Sequence, residues 1–557
     1  MKQKQNIFIG VAWPYVNGDL HIGHLAGYLL PADICARFFR SIGHKVLMAT
    51  GSDCYGTPIT VEADQKKVTP KEIANLYHEK NVKLFSDITK LTFDIYTRTD
   101  TEQHAKVVQE FFLEFLNKGY VSIKTTKQFF SEEENRFLPD RYVIGECTNC
   151  GFGDARSDQC DNCGKLLEQN ELKNPHSKLT GNAVILKDTD HYFIDWSKLE
   201  KEIGSYVKKT GPNWKNWVYQ ESEGWLKQGL NERAITRDID WGVEIPNDRI
   251  PENLRLKDVN SKRIYVWFEA VIGYFSASLL WAENNNKDWK EFWLNKESKH
   301  FYFMGKDNLI FHTLFWPGQL MVKDKELHLP DLVSINMFLD YDGQKFSKSR
   351  GVTLGIEEMV TKFGNDAIRF YLTLIMPETK DASFKLSDFV EKNNGILVAN
   401  IGNFIHRTLS IAKETEIEKF VNLSIDDEVK KEIEKAFKLS RENLENCQFR
   451  NYLDAIVDLS SFGNKLMGQE KIWVVKNENQ ELYFKMLKNY YAIILALGYL
   501  ISPLLPESSE KLAKLFEIDN FSNWPEIGEE IKEIEQLFKK IKNPSEPKPL
   551  FGKILDN

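Results

Sequence analysis

The sequence predicts an α/β fold with a parallel sheet built from two chain segments, a cysteine-rich insertion between them and a terminal helix bundle. Three observations lead to this prediction. Short apolar runs alternate with helix-like segments on both sides of the insertion, as in parallel sheets covered by helices. Four cysteines lie close together between these regions. From about residue 386 onward the apolar spacing is that of helices alone.

The composition limits the class of protein. A chain of 557 residues has room for several domains and a large core. Its 42% hydrophobic and 28% charged residues are those of an ordinary soluble protein. No apolar run reaches the length of a membrane helix and the start lacks a signal-peptide core, so we expect a cytoplasmic protein. The net charge of −8 argues against non-specific nucleic-acid binding but permits local basic patches.

The start of the chain predicts a nucleotide-binding element. Residues 7–11 form an apolar run typical of a buried strand, and the turn-forming segment 14–18 ends it. His21 and His24 follow at a helix start, on one helix face and beside backbone N–H groups that a helix start leaves unpaired. Such a helix end attracts anions, and Gly23 lets a ligand approach the backbone closely. The alternative interpretation is a pair of surface histidines near a turn.

A second strand is predicted at residues 45–50, followed by a Gly- and Pro-containing loop that carries Asp53. Such a loop belongs at the carboxyl edge of a parallel sheet, where ligands of open α/β folds bind. Asp53 is therefore a candidate partner for a substrate amine, and an ordinary turn aspartate is the alternative. Residues from about 70 to 118 have helical apolar spacing.

The cysteine block consists of Cys147, Cys150, Cys160 and Cys163, two pairs with two residues inside each pair. Four thiolates close a tetrahedral Zn²⁺ site without an open position, which predicts one structural zinc ion per chain. A redox dithiol is the alternative for a single pair, but two adjacent pairs favour the metal.

The second half returns to strands, which we predict at residues 262–270, 299–307 and 332–339. The run Lys345-Phe346-Ser347-Lys348-Ser349 follows the last of these. Two lysines and two serines in a Gly-flanked loop suit phosphate oxygens. A solvated basic loop is the alternative.

Taken together, His21-Ile22-Gly23-His24 and Lys345-Phe346-Ser347-Lys348-Ser349 resemble the two signatures of class I aminoacyl-tRNA synthetases. Within that class the chain resembles the methionyl-tRNA synthetase family from about residue 5 to its end. Specific segments that carry this resemblance are 12–18, 53–58, 137–141, 305–317 and 473–475.

The resemblance implies a split Rossmann catalytic domain with an inserted zinc-knuckle connective domain and a C-terminal α-helix bundle. The expected segments are 1–118 and 231–330 for the Rossmann halves, 119–230 for the insertion, 331–388 for the loop and stem-contact region, and 389–557 for the anticodon-binding bundle.

The same resemblance implies the site residues. Catalysis is expected from His21, His24, Lys345 and Lys348. ATP contacts are expected from His21, Gly23, His24, Arg237, Asp307 and Lys348. The methionine pocket is expected to comprise Ala12, Trp13, Tyr15, Asp53, Trp267, Ala270, Tyr274 and His312. Trp13 stands where the family commonly has leucine.

The implied reaction joins methionine to tRNA(Met) through methionyl-adenylate, with ATP as the second substrate and Mg²⁺ accompanying it. Class I enzymes for leucine, valine or isoleucine are alternatives, but 557 residues leave no room for their editing insertion. A cysteine enzyme would need its zinc in the amino-acid pocket. A catalytically inactive RNA-binding relative is opposed by the intact signatures.

Trp473 and Asn400 are the anticodon candidates. Trp473 lies between Lys471 and Lys476, where an aromatic ring can stack on an unpaired base while lysines meet phosphates. A bundle-core tryptophan is the alternative. Segment 399–403 lacks the Asn-x3-Arg pair of some members, which leaves Asn400 as the second candidate. The dimerising module of some members is missing, which predicts a monomer, and no membrane partner is expected.

Overall fold

The computed structural model describes residues 4–139, 142–157, 160, 162–163, 172–343, 354–544 and 546–555. The predicted loop lysines, Lys345 and Lys348, lie outside these residues. Within the described ranges, no helix combines the length and the apolarity needed to cross a membrane.

A five-stranded parallel sheet organises the first two thirds of the chain. Its strands in spatial order are Leu332–Asn336, Lys299–Gly305, Asn6–Val11, Lys45–Ser52 and Ile95–Arg98. The first strand of the chain pairs with one from after the insertion, Ile7 lying opposite Lys299. Two distant segments therefore build one sheet, and the predicted split α/β fold is confirmed. The strand order reverses between these two strands, and open α/β sheets bind ligands at such a point.

Helices pack against this sheet. The helix after the first strand runs from Ile22–His24 through a π-helical turn, Leu25–Leu29, into Leu30–Ser41. The other helices of this region are Thr57–Lys66, Pro70–Lys83, Glu102–Asn117, Val266–Glu269, Gly273–Asn285, Lys290–Trp293, Trp316–Lys323, Ile356–Phe363 and Asn365–Leu374.

Two secondary-structure predictions were wrong in part. The predicted helical stretch 70–118 is interrupted by Ile95–Arg98, whose β-branched and aromatic residues pair with Lys45–Ser52 at the sheet edge. The predicted strand 262–270 is a strand only at Arg263–Ile264 and then turns into the helix Val266–Glu269. In both places tertiary pairing decided what local apolar spacing left ambiguous.

The insertion contains a long antiparallel ribbon and a small cysteine-bearing sheet. The ribbon sheet comprises Arg233–Ala234, Ile185–Ile194, Val121–Ser131 and Arg136–Phe137. The cysteine-bearing sheet comprises Ala155–Arg156, Val143–Cys147 and Leu172–Ser177. Two helices, Glu200–Thr210 and Asn216–Gln228, follow the ribbon. A third small sheet of Thr236–Arg237, Arg263–Ile264 and Val243–Glu244 leads back to the central sheet.

The last third of the chain is helical, as predicted. A parallel pair of short strands, Leu339–Tyr341 and Ala382–Phe384, precedes it. The helices are Leu386–Lys392, Asn403–Ala412, Asp427–Glu445, Phe449–Glu470, Ile472–Glu478, Gln480–Ile501, Pro506–Leu515 and Glu530–Phe538. The first two are joined through the π-helical segment Asn393–Gly402.

A buried arginine joins this bundle to the central sheet region. The Nη1 of Arg369 lies 2.8 Å from the Oδ2 of Asp33, on the helix after the first strand. The same guanidinium donates from Nε to the carbonyl of Leu504 at 2.6 Å and from Nη2 to that of Pro503 at 2.9 Å. Both charged side chains are almost fully buried. One side chain thus ties three parts of the fold together.

Candidate functional site

A cavity of about 640 Å³ opens at the carboxyl ends of the central strands, where the strand order reverses. Many of the sequence-predicted site residues line it together. They are Ala12, Trp13, Tyr15, His21, Gly23, His24, Asp53, Trp267, Ala270, Tyr274, Asp307 and His312. Residues from widely separated segments therefore face one space large enough for an ordinary small-molecule ligand.

His21 and His24 form a reciprocal cap at the start of their helix. The N–H of Gly23 donates to Nδ1 of His21 at 3.1 Å, and the N–H of His21 donates to Nδ1 of His24 at 3.2 Å. Because each Nδ1 accepts a hydrogen bond, each neutral ring carries its proton on Nε2. The two rings lie 3.9 Å apart between centroids. The pair thus presents ring N–H donors, whereas the sequence pointed to unpaired backbone N–H groups.

The backbone donors of this helix start are in fact used inside the protein. The N–H of Ile22 donates to the carbonyl of Leu354 at 3.0 Å, and that of Ile356 donates to the carbonyl of Leu20 at 3.3 Å. Leu354 and Ile356 come five and seven residues after Ser349, the last residue of the predicted lysine–serine loop. The described residues after that loop are therefore hydrogen-bonded to the start of the histidine motif, more than 330 residues away in the chain.

Asp53 is a buried carboxylate at the other end of the cavity. Its exposed fraction is 4%, and its Oδ1 accepts only a long hydrogen bond of 3.3 Å from the N–H of Tyr55. Burial, together with the nearby carboxyl of Glu269, raises the pKa of Asp53 well above its usual value. No cation of the described residues pairs with it. A buried acid in this state favours a cationic ligand.

A buried polar chain lies behind this carboxylate, and sequence reasoning missed it. His104 is hydrogen-bonded to Glu269 at 2.8 Å and to the hydroxyl of Ser276 at 2.8 Å. Burial raises the pKa of Glu269 and lowers that of His104 to about 3. His104 and Glu269 are 165 residues apart in sequence. No local motif marks either of them.

The tautomer of His312 fixes the role of Tyr274. The carbonyl of Asn308 can only accept, so Nδ1 of His312, 2.9 Å away, carries the ring proton. Burial lowers the pKa of His312 to about 4, so the ring is neutral. Its Nε2 therefore accepts from the Tyr274 hydroxyl at 2.8 Å. The hydroxyl proton is engaged, and Tyr274 presents only oxygen lone pairs and its ring to a ligand.

The ring of Trp13 fits between two glycines. A Cβ atom added at Gly51 or at Gly273 would collide with the indole. The two glycines thus leave the room that the large indole of Trp13 needs. No described residue accepts a hydrogen bond from the backbone N–H of Trp13. That N–H is available to a ligand at the cavity wall.

Arg237 does not line the main cavity. Its guanidinium lies 4.1 Å from the centroid of the Tyr265 ring, and its Nη1 donates to the carbonyl of Thr236 at 2.9 Å. It lines a neighbouring cavity instead.

The four clustered cysteines form a site that could hold a metal ion. Their Sγ atoms all lie within 4.8 Å of one another, with Cys147 to Cys163 at 3.8 Å and Cys150 to Cys160 at 3.7 Å. None of the four forms a disulfide. Four sulfurs about 2.3 Å from a central Zn²⁺ would be roughly 3.8 Å apart in a tetrahedron. The donor set and its spacing therefore fit a four-thiolate metal site.

Trp473 is on the surface of the bundle, not in its core. Its exposed fraction is 44%, and the guanidinium of Arg407 lies 5.4 Å from its ring centroid. Asn400 is used within the fold: its amide donates to Ser461 at 2.8 Å and accepts from Asn464 at 2.9 Å.

Arg407 was missed, although the sequence carried its signal. The Asn-x3-Arg spacing sought at residues 399–403 is present three positions further on, at Asn403 and Arg407. Both lie on the helix Asn403–Ala412, which brings Arg407 to Trp473.

Comparisons with known proteins agree over nearly all of the chain. A family model described as tRNA synthetases class I (M) matches residues 7–409, and one described as the anticodon binding domain of methionyl tRNA ligase matches residues 421–557. A methionine–tRNA ligase of Thermococcus kodakarensis is 39% identical over 550 residues, covering 95% of this chain and 73% of that relative. One from Dehalococcoides mccartyi is 39% identical over 554 residues, covering 97% and 98%. The solved methionyl-tRNA synthetase of Mycobacterium tuberculosis, in complex with methionyl-adenylate, has the same fold with a TM-score of 0.77 at 20% identity, covering 98% and 99%.

Proposed function

This chain belongs to the methionine-specific tRNA ligases of class I, and from that premise we propose how its residues divide the two steps of tRNA charging. In the first step a carboxylate oxygen of methionine attacks the α-phosphorus of ATP, and the bond to pyrophosphate breaks. In the second, a ribose hydroxyl of the 3′-terminal adenosine attacks the methionyl carbonyl carbon, and AMP leaves. Neither step needs a protein nucleophile. The leucine, valine, isoleucine and cysteine alternatives are set aside by the family match.

One observation supports the assignment of roles above all others. A single cavity has ring N–H donors from His21 and His24 in one part of its wall and the unpaired buried carboxylate of Asp53 in another. A phosphate chain and an ammonium group are the chemical complements of these two parts. ATP and an amino acid bring both groups to the same reaction.

At the nucleotide part, the Nε2–H groups of His21 and His24 donate to phosphate oxygens of ATP. Preorganised donors of this kind stabilise charge that develops on the α-phosphate and on the leaving pyrophosphate. Lys345 and Lys348 add positive charge there, and Asp307 holds the ribose. Mg²⁺ bound to ATP would supply further positive charge at the phosphates. Asp53 and Asp307 are the only described carboxylates of the cavity wall. Both already have other roles in this proposal, so we assign Mg²⁺ no protein ligand.

At the amino-acid part, Asp53 receives the ammonium group of methionine. The thioether lies near Tyr15 and Tyr274, and its sulfur accepts from the N–H of Trp13, because the Tyr274 proton is engaged by His312. A thioether is a weak acceptor, so discrimination from leucine rests on shape, with the flexible methionine chain filling an aromatic slot.

The activity test is methionine-dependent exchange of pyrophosphate into ATP without tRNA. We expect exchange with methionine and none with leucine, isoleucine, valine or cysteine. Charging of tRNA(Met) by the same preparation completes the test. Pyrophosphate exchange that depends on a different amino acid would overturn the proposed methionine pocket.

We propose that the metal of the four-cysteine site is zinc, one ion per chain. Cys147, Cys150, Cys160 and Cys163 would hold it, and it would fold the tip of the insertion without entering the reaction. The tip has a small core of its own, which includes Phe129, Tyr142 and Val143, separate from the main core.

Replacing Cys147 with serine should remove the metal and unfold this tip. Structural zinc sites supply about 10–16 kcal/mol of folding free energy in small domains, so the tip's small core should not survive alone. The measurements are metal content per chain and limited proteolysis. The matched control is Asp154→Ser, an exposed change in the same tip, which should keep one ion. The proposal fails if the Cys147 variant retains its metal, or if wild-type protein contains none.

We propose that Trp473 stacks on an anticodon base while Arg407 meets the adjacent phosphate. An exposed aromatic ring with an arginine over it is the arrangement that binds unpaired bases. The side-chain amide of Asn400 is hydrogen-bonded to three side chains of the neighbouring helix, which makes Asn400 the weaker candidate for base contact.

The Trp473→Ala variant should charge tRNA(Met) about tenfold to a hundredfold less efficiently, since stacking on one base is worth about 1–3 kcal/mol. Pyrophosphate exchange should be unchanged because it needs no tRNA. The matched control is Leu482→Ala, another exposed apolar residue of the bundle, which should charge normally. An equal fall in both half-reactions, or a lowered melting temperature without a charging defect, would contradict the anticodon role.

A further inference from the structure

A second, smaller cavity of about 150 Å³ adjoins the main one. The two cavities share three wall residues, Tyr265, Trp267 and Phe311. Six aromatic rings line the small cavity: Trp196, Tyr265, Trp267, Phe268, Phe311 and Phe315. It lies where the ribbon sheet of the insertion meets the central sheet region, since Arg233 and Ala234 of that ribbon form part of its wall.

The charged residues of this wall are all positive. Arg233 and Arg237 are its only charged residues, and no carboxylate lines it among the described residues. Arg233 lies with its guanidinium 5.1 Å from the ring centroid of Phe315 and makes no ion pair within the described chain. Burial lowers the pKa of Arg233. A half-buried arginine without an acidic partner is costly to the fold and favours an anionic ligand.

One neutral polar atom of the wall also lacks a hydrogen-bond partner. The side-chain amide of Gln319 donates to the carbonyl of Phe268 at 3.0 Å, while its Oε1 has no hydrogen-bond partner. Gln319 is 99% buried. The wall therefore offers an acceptor, aromatic faces and two cations.

The size of the cavity restricts its occupant. Pockets for whole small molecules are about 300–1,000 Å³, so about 150 Å³ suits one planar ring rather than a nucleotide. Methionine and ATP are already accommodated in the larger cavity under the proposed function. The remaining substrate is a polynucleotide end, which carries aromatic bases, exocyclic amines and phosphates together. Aromatic faces and arginines are what bind such single strands.

We propose that this cavity receives a nucleobase of the tRNA 3′ end during the transfer step, with Arg233 holding the adjoining phosphate. The inference rests on the proposed function, because it places the second substrate beside the first. The base would stack among the aromatic rings, and an exocyclic amine would donate to Oε1 of Gln319. The shared wall of Trp267 and Phe311 then separates the base from methionyl-adenylate by one layer of side chains.

The test combines an enzyme variant with a shortened tRNA. Arg233→Gln removes the charge but keeps a long polar side chain. With this variant, single-turnover transfer from preformed methionyl-adenylate to tRNA(Met) should slow by about tenfold or more, the lower end of what a stacked, phosphate-anchored base is worth. Methionine-dependent pyrophosphate exchange should stay at the wild-type rate. Arg233→Lys, which keeps a point charge, should recover part of the transfer rate.

The shortened tRNA locates the contact. Wild-type protein should bind intact tRNA(Met) more tightly than tRNA(Met) without its last two nucleotides, and Arg233→Gln should abolish this difference. Lys227→Gln, an exposed change on a neighbouring helix, is the matched control and should preserve it. An unchanged difference, or an Arg233 variant whose methionine KM rises instead, would overturn the proposal. If the wild-type protein showed no methionine-dependent pyrophosphate exchange, the proposed function itself would be refuted.

Discussion

Replacing Lys348 with alanine is expected to slow the formation of methionyl-adenylate by about a hundredfold or more, with methionine affinity scarcely changed. Removing one preorganised charge contact to a developing anion costs roughly 3 kcal/mol. Lys348 lies outside the described residues, but the flank of its loop is hydrogen-bonded to the histidine motif through Leu354 and Ile356. The described residues that follow the loop therefore lie beside His21 at the cavity.

The measurement for Lys348 is rapid-quench adenylate formation at saturating ATP and methionine. The matched control is Lys362→Ala, an exposed lysine on the helix that follows the loop, which should react at the wild-type rate. A Lys348 variant that forms adenylate as fast as the wild type would remove this residue from the mechanism.

The Asp53→Asn variant is expected to lose methionine affinity by about thirtyfold to several-thousandfold, because breaking a buried charge pair costs about 2–5 kcal/mol. ATP affinity should be unchanged. The measurement is methionine binding by titration, with Asp19→Asn as control, since Asp19 is an exposed aspartate paired with Lys80. A methionine analogue without its amine should bind wild type and Asp53→Asn equally. If the variant discriminates between methionine and this analogue as strongly as wild type does, the ammonium lies elsewhere.

In the absence of methionine, the Asp53→Asn variant should be at least as stable as the wild type. Burial and the carboxyl of Glu269 raise the pKa of Asp53 above its unfolded value. An acid whose pKa rises on folding binds its proton more tightly when folded, so the free energy of unfolding falls as pH rises past the unfolded pKa. A neutral asparagine removes that cost. Unchanged or raised melting temperature at neutral pH therefore separates loss of binding from misfolding.

The sheet and the ends of the cavity were predictable because they follow local rules. An apolar run followed by a glycine- and proline-rich loop predicts a strand and a ligand edge, and this holds for Asn6–Val11 and for Lys45–Ser52. The cysteine spacing likewise predicted a metal-binding geometry that the sulfur positions fit.

What could not be predicted depends on contacts between distant segments. The chain from Glu269 through His104 to Ser276 and the placement of Arg237 on Tyr265 are set by packing. The helix start was misjudged for a related reason: which acceptor takes each backbone N–H depends on a segment more than 300 residues away. Arg407 is a different case, because the sequence alone shows its Asn-x3-Arg spacing from Asn403.

The joint that Arg369 makes with Asp33, Leu504 and Pro503 has a consequence for the shape of the substrate. Stripping one partner from a buried ion pair costs about 3–5 kcal/mol, so thermal motion seldom opens this joint. If Trp473 binds the anticodon as proposed, this joint holds it at a set distance from the main cavity, and the enzyme acts as a gauge. On that proposal, a transfer RNA whose stems hold its anticodon and its 3′ end at the matching separation engages both parts of the enzyme at once. One that is too long, too short or wrongly bent fits only one end, whatever its sequence.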